Sequence, residues 1–228
     1  SDYGAIPAWK NANLPKALTD AGLMSYICKK KKKRHLINWK KTKVFPYLEP
    51  PYLWVNLKGR DPQGIVEPAD YEEVRDRIIQ VLKNLRDPDT NAKIVHKVAR
   101  KEELQYLGQN GDRVGDIVVF FNPPYQNFDG KLADLNAAKR SKKYMRKGYA
   151  YRARHCFGAH AYYLPDTEFL GYTIEVPIIM TGPGILKGEK ISDSCDLVDI
   201  APTLAQLLGI TPPKNSTGKV QEQFLSEN

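Results

Sequence analysis

Apolar residues recur at helical spacing between Ala69 and Leu85, where Tyr71, Val74, Ile78, Val81, Leu82 and Leu85 fall on one face. Pro68 stands just before this segment, where its missing N–H costs nothing. Asp70, Glu72 and Glu73 lie in the first turn and Lys83 and Arg86 in the last, the arrangement the helix dipole favours. Asp87-Pro88-Asp89-Thr90-Asn91 then reads as a turn. A second helix is predicted from Ile200 to Leu208, with Ile200, Leu204, Leu207 and Leu208 on its apolar face. Asp199 is placed to cap it and Gly209 to end it. Asn13 to Ala21, stopped by Gly22, is a third helix, and Lys101 to Leu107 a short fourth.

Strands are predicted at Leu53 to Leu57, Lys93 to Ala99, Asp116 to Phe121 and Thr173 to Met180. The run Ile117-Val118-Val119-Phe120-Phe121 is apolar throughout, which implies a strand covered on both faces. Helices that alternate with buried strands define an α/β class. Leu57 to Pro68 and Asn122 to Lys131 are rich in Gly, Pro and polar residues and read as ordered surface loops that carry contacts. No internal repeat occurs.

Composition adds bounds. The 228 residues suit one large domain or two small ones, and 42% apolar content is enough for a core. No apolar run reaches the roughly 18 residues that span a bilayer, and the first residues lack the basic and apolar regions of a signal peptide. Cys28, Cys156 and Cys195 fit no zinc spacing. Three free thiols in a reducing compartment is the plainest reading, which favours the cytoplasm.

The net charge of +9 is concentrated. Lys29 to Arg34 are consecutive basic residues, and Lys131 to Arg154 holds Lys139, Arg140, Lys142, Lys143, Arg146, Lys147 and Arg152. Such runs are commonly solvated loops, but they also attract nucleic acid and phosphorylated substrates. Tyr144, Tyr149 and Tyr151 are interleaved with the second run, and aromatics beside cations can stack on bases. The histidines, His35, His96, His155 and His160, show no i, i+4 pair of the helical zinc type. There is no P-loop, no dinucleotide fingerprint and no Gly-x-Ser-x-Gly elbow. Taken alone, these features define a basic α/β protein and no reaction.

Several stretches, in order, resemble one family. Ser1-Asp2-Tyr3-Gly4, followed by Asn13-Leu14 and Ala21-Gly22-Leu23, is similar to the Ser-Asp-His-Gly motif and following helix of the type I phosphodiesterase/nucleotide pyrophosphatase family. Asn38 to Lys43, Trp54 to Val66, Leu85-Arg86-Asp87-Pro88 and Phe121-Asn122-Pro123 resemble its bacterial and archaeal members. Thr181 to Ile185, Asp199 to Leu204 and Leu208-Gly209-Ile210 resemble the C-terminus shared by much of the alkaline phosphatase superfamily.

The resemblance implies the C-terminal part of an alkaline-phosphatase-like sandwich. Residues 1–28 and 155–228 would belong to that core and 29–154 to an inserted α+β cap-like region. It implies two divalent ions, zinc in the usual case, acting on a phosphorylated small-molecule substrate. The nucleophile and further ligands would lie in an N-terminal half of a longer parent chain, so no catalytic residue is assigned here. Asp2 is implied as a carboxylate ligand of one ion and His160 as the histidine ligand of the other, with His155 its competitor. Arg146 and Lys147 would meet the anionic substrate. Tyr3 stands where the family has a metal-binding histidine. An ordinary phenol ionises near pH ~10, against about 6.5 for imidazole, so Tyr3 is a poorer ligand and implies a weakened or absent ion. Two rival readings follow: a degenerate member that catalyses nothing, and a basic module that binds single-stranded nucleic acid.

Overall fold

The structure, a computed structural model, describes residues 3–29, 34–47, 52–109, 111–127, 148–154 and 157–226. The chain divides into two compact units, Gly4–Ile174, and Glu175–Asn228 together with Ser1–Tyr3. This division by packing does not bear on the boundaries implied by the resemblance, at 28/29 and 154/155.

In the larger unit, β1 (Ile6–Pro7) and β2 (Lys10–Ala12) lead into helix α1 (Leu14–Asp20). Asn13 caps α1 by accepting from the Lys16 amide, and Gly22 adopts a positive φ of 72° just past its end. Next comes the hairpin of β3 (Tyr26–Lys29) and β4 (Arg34–Ile37), in which Lys29 pairs with Arg34. The first basic run therefore begins and ends on paired strands; Lys30 to Lys33 lie outside the described residues.

The main sheet is antiparallel, in the order β5 (Val44–Tyr47), β6 (Tyr52–Val55), β8 (Ile117–Phe121), β7 (Val95–Arg100). Helix α2 (Tyr71–Lys83) packs on it through Val74, Ile78 and Leu82, all buried. A 3-10 turn at Pro68–Asp70 precedes α2, so the predicted helix starts late by two residues and ends two early. Strand β8 is buried at every position. Ile117, Val119 and Phe121 join the core under α2, while Val118 and Phe120 join a second cluster with Leu104 and Val114. Both faces are covered, as the apolar run implied. Leu104 comes from Lys101–Leu107, which is a 3-10 helix.

The loop after β6 is held by its own polar groups. The Asn56 side-chain amide donates to the Thr42 carbonyl at 2.9 Å and the Gln63 carbonyl at 2.8 Å. The Leu57 amide donates to Asp61 at 2.7 Å. Gly64 is required by close approach, because a Cβ there would stand 2.1 Å from the Leu57 carbonyl oxygen. Gly64→Ala is expected to cost about 2–3 kcal/mol in urea unfolding, through backbone displacement. An unchanged midpoint would show that the loop yields freely.

A three-stranded sheet, in the order β10 (Ala150–Arg152), β2, β9 (Tyr125–Gln126), and the pair of β1 with β11 (Gly158–Ala159) complete the frame of this unit. Last comes the hairpin of β12 (Glu168–Phe169) and β13 (Tyr172–Thr173). The strand predicted over Thr173 to Met180 is a correction: only Thr173 is in a strand, and Ile174 to Met180 run as irregular chain, with the Ile174 carbonyl accepting from the Gly4 amide. Apolar, β-branched composition is not enough to carry the strand past Thr173, because Pro177 lacks the amide a ladder needs.

In the smaller unit, α3 (Ile200–Leu208) has the predicted bounds. Its buried residues are Pro202, Thr203 and Ala205, and Leu204 and Leu208 are exposed, the reverse of the predicted face. Hydrogen bonds decide this. The Thr203 hydroxyl donates to the Asp199 carbonyl at 2.7 Å and accepts from the Gln221 amide at 3.0 Å. Asp199 does not cap α3 through its side chain. Its carboxylate instead accepts from the Lys219 amide at 2.9 Å and the Gln221 side chain at 2.5 Å, and so ties 219–221 to the helix start. Among the described residues no helix is long and apolar enough to cross a membrane.

Candidate metal centre

The register of β1 with β11 sets Ile6 opposite Ala159 and Pro7 opposite Gly158. His160 follows Ala159 directly and is exposed. The chain entering β1 runs through Gly4, whose amide donates to the Ile174 carbonyl at 3.0 Å. A Cβ at Gly4 would lie 2.7 Å from the Thr173 carbonyl oxygen, so backbone approach requires glycine at the end of the Ser-Asp-Tyr-Gly segment. Within the larger unit, the segment leading out of that motif and the segment leading to His160 are thus hydrogen-bonded neighbours.

The pairing continues past β1. The Ala8 amide donates to the Phe157 carbonyl and the Ala153 amide to the Trp9 carbonyl, each at 2.8 Å. Ala8 and Trp9 are consecutive while their partners are four apart, so the register shifts there. Tyr3 is described and half exposed. Asp2, His155, Arg146 and Lys147 lie outside the described residues. Among the described residues no group of three His, Cys, Asp or Glu could hold a metal ion. Those residues therefore do not close a metal site by themselves, since zinc takes three protein ligands even in an open catalytic site.

Two buried ionic clusters, which the sequence did not signal, are already neutralised. Asp116 has a fully buried side chain and receives Arg60 at 2.7 and 2.9 Å, the Tyr71 hydroxyl at 2.7 Å and the Val55 amide at 2.7 Å. Asp87, in the Leu85-Arg86-Asp87-Pro88 turn, receives Lys10 at 2.5 Å and the Tyr125 hydroxyl at 2.7 Å. Burial alone would raise both carboxyls, but these donors outweigh it and hold them below the usual carboxylate range. Tyr125 is pushed up to about 12, by burial first and then by its bond to Asp87. Each partner is committed to the other, so neither cluster offers a free acid or base at neutral pH. Both were hidden in the sequence because Arg60 and Asp116, like Lys10 and Asp87, are far apart in the chain. Cys195 is a free thiol pushed up by burial and by the charges of Asp199 and Asp196, which makes it a poor nucleophile.

No family profile matches the chain, and no solved structure is significantly similar to it. A stretch of 43 residues, 19% of this chain, is 46% identical to arylsulfatase K of Homo sapiens. That stretch covers 8% of the human protein, far less than two thirds of its length. Arylsulfatase K is a member of the alkaline phosphatase superfamily, so the superfamily is loosely supported; the match does not reach the phosphodiesterase branch.

Proposed function

We propose that these residues belong to a metal-dependent hydrolase of the alkaline phosphatase superfamily that cleaves phosphoric ester or anhydride bonds, in the manner of the phosphodiesterases and nucleotide pyrophosphatases. The observation that carries the reading is the β1–β11 pairing. It sets the segment after Asp2 beside the segment before His160, the two motifs to which the family resemblance assigns ligands. In this reading two divalent ions, zinc by resemblance, are each held by one of these residues together with ligands from an N-terminal half of the parent. This chain alone is then catalytically incomplete, and no reaction step is assigned to its own residues. When bound, the ion pair would stabilise the attacking and leaving oxygens of an in-line displacement. The inserted region 29–154 would shape the substrate pocket, with Arg146 and Lys147 meeting its anionic groups.

A second reading, hydrolysis of a sulfuric ester, is favoured by the similarity to arylsulfatase K. The full-length natural polypeptide distinguishes them. Metal analysis is expected to find close to two zinc ions, and turnover is expected on bis(4-nitrophenyl) phosphate, with EDTA abolishing it. Turnover of 4-nitrophenyl sulfate instead would favour the second reading. Absence of both metal and turnover would mark a degenerate member, as Tyr3 would then indicate.

A further inference from the structure

The outer edge of the main sheet carries cations that no carboxylate answers. Among the described residues Arg86, Lys93 and Lys97 form no ion pair. Arg86 and Lys93 stand directly opposite each other in an antiparallel bridge, and like charges so placed destabilise a ladder. Lysines and bulges commonly guard an exposed sheet edge, and β7 has a bulge of its own between Val95 and Lys97. At Lys93 no such guard is needed. The Ile94 amide donates to the Leu85 carbonyl at 3.1 Å and the Asp87 amide to the Ala92 carbonyl at 2.9 Å, so residues 85–87 already cover the edge there. The nearby carboxylates serve other cations. Glu102 and Glu103 pair with Arg75 and Arg100, and Asp87 and Asp89 lie 2.5 and 4.0 Å from Lys10.

Two further groups lie along the same edge. His96 is the extra residue of the bulge and is exposed, with Nδ1 3.1 Å from Asn122 Oδ1. The Asn122 side-chain amide donates to the Lys93 carbonyl at 2.9 Å, which fixes which way that amide points. Oδ1 is then the acceptor, so neutral His96 carries its proton on Nδ1 and presents Nε2 as an acceptor at the surface. Tyr106, on the 3-10 helix that follows β7, is 69% exposed. Lys97 Nζ lies 5.3 Å from the centre of its ring and donates to its hydroxyl at 3.0 Å. The edge thus offers, in order, an opposed cation pair, an acceptor, a third cation and an open aromatic ring.

We infer that this edge binds single-stranded nucleic acid, with phosphates against Arg86, Lys93 and Lys97 and a base stacked on Tyr106. Three unanswered cations along one edge select a polyanion. The ring and the His96 acceptor select nucleic acid among polyanions, because unpaired bases offer a flat face and N–H donors. Inorganic phosphate and lipid headgroups lack the flat face. The site is separate from the basic runs at 29–34 and 131–154, and it does not rest on the proposed hydrolase activity.

The test is fluorescence anisotropy of the full-length natural polypeptide with a labelled oligothymidylate of about 15 nucleotides, over a range of salt. Arg86→Gln/Lys93→Gln is expected to weaken binding severalfold at low salt. It should also lower the log–log salt slope by about 1.4, two phosphates at about 0.7 each. Tyr106→Leu is expected to weaken binding at least about fivefold with the slope unchanged. Lys187→Gln/Lys190→Gln makes the same change in net charge at exposed residues of the smaller unit and should bind as wild type. Separating opposed cations should leave Tm unchanged or raise it, which tells lost binding from lost folding. No measurable binding, or an Arg86→Gln/Lys93→Gln variant that binds as wild type, overturns the inference. So does an equal loss in the two double variants, since net charge and not this edge would then be the cause. Unchanged binding by Tyr106→Leu overturns it in favour of a surface for any polyanion.

Discussion

Asp116→Ala is expected to lower the stability of the larger unit by about 3–5 kcal/mol, nearer the lower figure because Arg60 keeps some solvent contact. The size follows from what the alanine would abandon. Asp116 sits at the start of β8, where both faces of the strand are buried. Its two oxygens take the Arg60 guanidinium, the Tyr71 hydroxyl and the Val55 amide. Alanine would leave the buried Val55 amide and the part-buried Tyr71 hydroxyl without this acceptor and would strip Arg60 of its bonds to Asp116, leaving it those to the Val55 carbonyl and Asp61, and desolvated groups left unpaired carry the cost. The same contacts predict acid lability. The folded-state carboxyl lies below its ordinary value, so its contribution is complete above the unfolded carboxylate range, about 3.9, and is lost as pH falls through the folded value. Asp87 acts in the same direction through Lys10 and Tyr125. Urea unfolding at neutral and acid pH checks both statements. The wild type should weaken steeply on acidification, and Asp116→Ala, already weakened at pH 7, should show a shallower slope. A variant as stable as wild type at neutral pH would mean that the cluster contributes no net stability.

What the sequence made legible was local. The 3.6-residue spacing in α2, the Gly22 stop of α1, and the uninterrupted apolar run of β8 each follow from neighbours in the chain. The failures were all long-range. The face of α3 was decided by hydrogen bonds from Asp199 and Thr203 to residues 219–221, which a helical-wheel argument does not contain. Ile174 to Met180 had strand composition yet run as irregular chain. The hairpin at the first lysine run was missed because Lys29 to Arg34 reads as a solvated loop, although its two ends pair. For the candidate site, spacing gave nothing and resemblance gave residue identities. The structure adds the β1–β11 register, which joins segments about 150 residues apart. Asp2, His155, Arg146 and Lys147 lie outside the described residues, so their assignments stand on resemblance alone.

His160→Ala in the full-length polypeptide is expected to reduce kcat/KM on a phosphodiester by at least about 100-fold, and to remove close to one of two bound zinc ions. Loss of a direct ligand should cost no less than the upper end of what loss of an outer-shell partner costs, which is the basis for that bound. The change should be nearly silent in stability, because His160 is exposed and follows a short strand instead of filling the core. Activity and folding are therefore separable at this position, as they are not at Asp116. Tyr3→His should act in the opposite sense. It replaces a phenol by an imidazole that is mostly deprotonated at pH 7 and ready to coordinate, so zinc affinity should rise and less metal be lost on dialysis. Metal retention and kcat/KM, measured for the two variants and wild type side by side, give a clear result. If His160→Ala keeps full metal and full activity, His160 is not a ligand, and His155→Ala becomes the variant that should show the loss. If Tyr3→His leaves metal retention unchanged while His160→Ala abolishes one ion, position 3 does not face the metals, and the resemblance of Ser1-Asp2-Tyr3-Gly4 to the family motif would not extend to its ligands.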